Sequence, residues 1–147
     1  MSSTYFNILE AVKQRVLSVS NEITPVIRKR PILLATDAIP AIIISPGPGA
    51  ETVGLEAFGL VVEYLYPVTI TIVNASDRVT EVEVYGSLEL RERIRQAMNQ
   101  PKLGEVASVI NTTIDLDPAY NTAAGPGTVY DVTAIRLTFS SIENRSA

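Results

Sequence analysis

The run from Val129 to Ser140 constrains this chain most. It is rich in β-branched and aromatic residues and contains no proline or glycine, so it demands a place as a long strand in a sheet. Ile135, Leu137 and Phe139 give it one apolar face, while Tyr130, Val132 and Ala134 begin the other. A second long strand is predicted from Phe58 to Val73. There the two-residue period places Val62, Tyr64, Tyr66, Val68, Ile70 and Ile72 on one core-facing side, together with Phe58 and Leu60. Pro67 offers no N–H to a ladder, so a bend, bulge or edge is expected at that point.

Helical patterns precede each long strand. From Thr4 to Val19, Ile8, Leu9, Val12, Val16 and Leu17 recur at three- and four-residue spacing, with Ser2 or Ser3 as the cap. From Arg78 to Asn99, a stripe of Val79, Val82, Tyr85, Leu90, Ile94, Ala97 and Met98 runs beside a charged face of Glu89, Arg91, Glu92, Arg93 and Arg95. Asn74 to Asp77 supply turn and cap chemistry, and Gly86 is expected to kink or split this helix. Shorter strands are predicted at Val26–Ile27, at Pro40–Ser45, whose Ile42–Ile44 run is apolar on both sides, and at Val106–Leu116. Asp117 to Thr128 reads as a loop and Glu143 to Ala147 as a polar, frayed tail. The predicted class is α+β: a mainly antiparallel sheet flanked by two helices on one face, in the order α-β-β-α-β-β. No sequence repeat or domain boundary interrupts the 147 residues, so a single domain is expected.

The composition narrows the chemistry. With no cysteine there is no disulfide, no thiolate nucleophile and no thiolate metal site, and with no histidine there is no imidazole base or ligand. A formal net charge of −4 argues against a broad basic face for nucleic acid. The N-terminus does not read as a signal peptide, and no apolar run reaches the ~20 residues a membrane span needs. A soluble protein made inside the cell, without membrane or cofactor, is the expectation.

Few residues invite a site. Asp115 and Asp117 could together hold Mg²⁺ or Ca²⁺, but no further oxygen ligand is linked to them by motif, and a strand end entering a turn explains them. Gly47-Pro48-Gly49 and Gly125-Pro126-Gly127 lack the Lys-Ser/Thr ending of a phosphate loop and read as turns. Arg28, Lys29 and Arg30 form a basic run suited to a solvated loop, a phosphate contact or a protein–protein salt bridge. Tyr64 and Tyr66 are core or interface aromatics, and Glu92 and Arg93 lie on a solvated or interface face of the second helix. These seven residues are the candidate interface.

Several segments taken in order resemble the tail terminator, or tail completion, proteins of long-tailed bacteriophages. They are the N-terminal amphipathic helix, the Pro40-Ala41-Ile42-Ile43-Ile44-Ser45-Pro46-Gly47 strand and the long strand Val61–Val73. The Asn74-Ala75-Ser76-Asp77 turn, the helix ending Leu90–Met98 and the closing strand Val132–Phe139 complete the pattern. The resemblance rests on order and spacing and covers most of the chain. It implies a non-enzymatic virion protein of the tail and neck, made in the host cytoplasm. Such a protein forms a hexameric ring that caps the tail tube and meets the head-completion proteins. It also implies that DNA passes through the lumen without specific binding, which a net negative subunit favours by repelling phosphate. A different head–tail connector or a tube component fits the same pattern. A small carboxylate-dependent enzyme built on Asp115 and Asp117 is the alternative of another class.

Overall fold

The computed structural model describes residues 3–20, 23–47, 52–57, 61–77, 79–104, 106–125 and 128–144. In chain order the elements are α1 (Thr4–Ser20), β1 (Val26–Ile27), β2 (Ala41–Pro46), β3 (Thr52–Ala57), β4 (Val61–Ala75), α2 (Glu81–Met98), β5 (Val109–Leu116), β6 (Asn121–Gly125) and β7 (Thr128–Asn144). The class is α+β. The strands form a single mixed sheet, in which β1 and β2 pair parallel and every other pair is antiparallel.

The two long strands are its spine. β4 and β7 pair from Val61↔Asn144 to Ala75↔Tyr130, a ladder about 50 Å long. β2 and β3 lie end to end along the outer edge of β4, and β5 and β6 do the same along β7. Each half of the chain is thus a helix, an interrupted outer strand and a long inner strand. The topology repeats although the sequence shows no repeat. β6 falls inside the stretch expected to be a loop, because Asn121–Gly125 resumes the ladder against β7 after Leu116. Asp117 N–H donates to Ala134 C=O at 3.0 Å and starts that resumption.

Pro67 neither bends nor ends its strand: the β4–β7 ladder runs through Pro67↔Thr138. Its carbonyl accepts from Gly47 N–H at 2.9 Å, on the edge away from β7. In a strand a residue's N and C=O point to the same edge, so the missing donor faces the gap between β2 and β3, where no ladder bond is lost. Gly47 itself turns the chain out of β2 at φ 81°, a conformation glycine reaches without a Cβ penalty. The expected tail is likewise partly strand. Glu143 closes β7 and accepts from Tyr66 Oη at 2.7 Å and Thr4 Oγ1 at 3.2 Å. Of the predicted β4 start, residues 58–60 lie outside the described residues.

One face of the sheet carries the helices. Ile42 and Ile44 of β2, Val68, Ile70 and Ile72 of β4, and Ile135, Leu137 and Phe139 of β7 are buried there with Ile8, Val12 and Val16 of α1 and Ile94 and Met98 of α2. Each such side chain contributes about 1.5–3 kcal/mol through the apolar surface it removes from water. The opposite face is closed over part of its area as well: Ile43, Thr69, Thr71, Val73 and Ala134 are buried there. β2 is therefore covered on both sides, as its apolar run predicts.

Candidate interaction surfaces

The basic run splits into two kinds of residue. The Arg28 guanidinium grips Asp37 through both terminal nitrogens, at 2.5 and 2.6 Å, and also donates to Ile32 C=O at 2.9 Å. Leu34 N–H adds a 2.7 Å bond to the same carboxylate. The Arg28 hydrogen bond first, and that amide second, hold Asp37 well below the usual carboxylate range, at about 2. Asp37 in turn raises Arg28. Arg28 is thus a brace that fixes the crossover between β1 and β2. Lys29 and Arg30 are exposed, and neither forms an ion pair among the described residues.

Lys29, Arg30 and Pro31 rim a trough of about 610 Å³ on the helix-free face, floored by Ser45, Thr69, Thr71 and Ala134. Its far wall holds Arg136, which clamps Asp117 at 3.0 and 2.9 Å and has its own pKa raised by that carboxylate. Asp117 is therefore engaged, and no group of three or more candidate ligands for a metal ion occurs among the described residues. Ser45 Oγ is buried at the trough floor with no hydrogen-bond partner among the described residues. Gly47 ends β2; residues 48–49 and 126–127 of the two Gly-Pro-Gly turns lie outside the described residues.

The tyrosines belong to packing. Tyr66, only 8% exposed, sits in the core 5.0 Å from the ring of Tyr5 and 6.3 Å from that of Tyr64. Tyr5 Oη donates to Pro67 C=O and accepts from Gly47 N–H, so this cluster clips α1 to the break between β2 and β3. Tyr66 does not supply an open contact surface, contrary to its choice as an interface candidate. The reason is its parity with Val68 and Ile70, which turns it under α1. Tyr64 is half-buried beside it.

On α2 the charged face is as expected. Arg93 pairs with Glu89 at 2.7 Å and Arg95 approaches Glu92 at 3.7 Å, both within the helix and both open to solvent. Glu92 also accepts from Gln96 at 3.3 Å. Arg91 leaves this face, donating to Asp117 C=O at 2.7 Å and Thr133 Oγ1 at 3.3 Å, and ties the helix to the break between β5 and β6.

The apolar stripe predicted for this helix departs from expectation. Only Ile94 and Met98 are buried in it. Val79, Val82 and Tyr85 are 74, 79 and 62% exposed, and Leu88 is exposed beside them. The sequence carries a signal for this. At roughly 100° per residue, three-residue steps from Val82 through Tyr85 to Leu88 drift one way round the helix, and four-residue steps from Leu90 through Ile94 to Met98 drift the other. Tyr85 and Ile94 end on opposite sides. The helix has two stripes, of which the sheet and α1 take only the second. Beside the first, a groove of about 940 Å³ separates Val82, Gly86 and Leu90 from Thr36–Pro40. Tyr120 lines it and meets Ser87 through their hydroxyls. The helix begins at Glu81, later than predicted, behind the N-cap Thr80, whose Oγ1 accepts from Glu83 N–H and donates to Glu83 Oε1. It runs unbroken through Gly86.

No protein-family model matches this chain, and a search of curated proteins returns no match. No helix is long and apolar enough to cross a membrane among the described residues.

Proposed function

We propose that this chain is a structural subunit of a long-tailed bacteriophage, a tail terminator that closes into a ring, most simply of six copies, on the finished tail tube. In this reading it acts in the virion neck between the tube protein and the head-completion protein, carries out no catalysis, and lets DNA pass without specific binding. The observation that carries it is the uncovered apolar stripe of α2. Large apolar side chains this open, in a row and beside a groove, mark an interaction surface. The order of helical and strand patterns in the sequence resembles that family, and a ring subunit must expose apolar surface that its own core does not use.

Light scattering on the purified chain, with negative-stain imaging of the same sample, tests this. Closed rings of a single mass with a central hole are expected. Open tubes that lengthen with concentration would instead make it a tube component. A chain that stays monomeric, both alone and with purified tail tubes, would overturn the reading.

A further inference from the structure

We propose that the exposed stripe of α2 docks on the 29–34 loop of a second copy of this chain, head to tail, and that this contact closes the ring. The inference rests on the ring reading above and names its interface.

The two surfaces match in character and oppose in charge. Around Val79, Val82 and Tyr85, the stretch from Asp77 to Leu88 has Asp77, Glu81 and Glu83 against the single cation Arg78, so it is net acidic. The loop presents Ile32 and Leu34, 54 and 50% exposed, beside the exposed cations Lys29 and Arg30. The charge of Arg28 is spent on Asp37, and no other carboxylate lies between Arg28 and Thr36. Each surface therefore repels a copy of itself: stripe on stripe sets acid on acid, and loop on loop sets base on base. Stripe on loop buries apolar side chains on both sides and pairs opposite charges around them. A contact between two different patches is heterologous, and heterologous contacts generate rings when the rotation closes. The loop is already held in one shape by Arg28, Asp37 and the Leu34 amide, so little ordering opposes docking.

The absence of cysteine allows a direct test. Leu34→Cys and Val82→Cys are made as separate proteins, checked by light scattering for wild-type mass, then unfolded together in urea, refolded as a mixture and oxidised with diamide. Separate variants matter because Thr36 and Val82 line one groove within a single chain. A covalent dimer formed in the mixture, and in neither variant alone, is expected. Rings of normal mass that give no Leu34–Val82 link would overturn this interface and leave the ring reading standing. A Val82→Cys protein that links to itself would show stripe-on-stripe contact and overturn the head-to-tail arrangement. If either variant fails to assemble, charge reversal at Lys29→Glu with Arg30→Glu replaces it. Rings unaffected by that reversal would overturn the proposal, and their loss with an unchanged circular dichroism spectrum would support it. A wild-type chain that never assembles sinks the interface and the ring together.

Discussion

The two helices both carry apolar residues at helical spacing, one in a single stripe and the other in two, and they have opposite fates. α1 buries Ile8, Ala11, Val12, Val16 and Ser20, a face that spans its length, whereas α2 buries only Ile94 and Met98 near its end. The first half of α2 is held by local bonds, namely the Thr80–Glu83 cap, Tyr85 Oη donating to Glu81 at 2.7 Å and Arg93 donating to Glu89, together with one polar contact to a distant residue, Ser87 with Tyr120. One helix is made stable by what it packs on. The other keeps a helical stretch in the open with a cap and polar bonds, and so leaves an apolar stripe uncovered. The difference teaches that apolar periodicity predicts a helix without predicting what will cover it.

Variants can break or sharpen that contrast, and the largest effect belongs to the packed helix. Ile8→Ala should destabilise the fold by about 2–5 kcal/mol, read from the urea midpoint, because it leaves a cavity under the sheet. A change near zero would mean α1 is not the anchor it looks to be. In the exposed half of α2, Thr80→Ala should cost about 0.5–2 kcal/mol in the same assay, since the cap stands in for packing. A substituted Cβ at Gly86 meets nothing within 4 Å, so Gly86→Ala should stabilise by about 0.5–1 kcal/mol through helix propensity alone. Loss of stability there would show that the groove beside Gly86 is narrower in solution.

The loop facing that groove is also held by local polar contacts and should respond to acid. Asp37 has its folded pKa lowered to about 2, so its contribution is complete above the unfolded carboxylate value near 4 and is lost as pH falls towards 2. Denaturation midpoints measured across that window should fall more steeply for the wild type than for Asp37→Asn. Equal slopes would mean the Arg28 brace is open in solution. The smallest effect on the fold is expected at Val82→Ser, within about 0.5 kcal/mol of wild type for the isolated subunit. Its effect on assembly should be much larger, and light scattering at a fixed concentration would show the rings lost. Rings that persist would remove the stripe from the interface.

The sequence was legible where one signal pointed one way. The period-two runs located β4 and β7, and the Ile42–Ile44 run announced a strand covered on both faces. It was ambiguous or misread where a residue type has two meanings. Pro67 left a bend, a bulge and an edge open, and the structure takes the edge, since its missing N–H faces the gap between β2 and β3. The Asp117–Thr128 stretch is rich in turn residues yet contains β6, because the long edge of β7 offers it a ladder. Tyr66 was left as core or interface, and the core-facing parity already visible in its strand is what puts it under α1. Of the proposed interface, Lys29 and Arg30 were visible as a basic run. Val82 and Tyr85 were read as one stripe with Ile94, although their angular drift away from Ile94 was already present in the spacing.

By itself the sequence determined the class of the fold, its two long strands and the lack of thiol and imidazole chemistry, because composition and local period are properties of the chain alone. Only the tertiary structure decided which stripe of α2 is covered, which cation of the Arg28–Arg30 run is spent and where Pro67 can be tolerated. Those depend on which surfaces residues far apart in sequence bring together, and no local pattern encodes that.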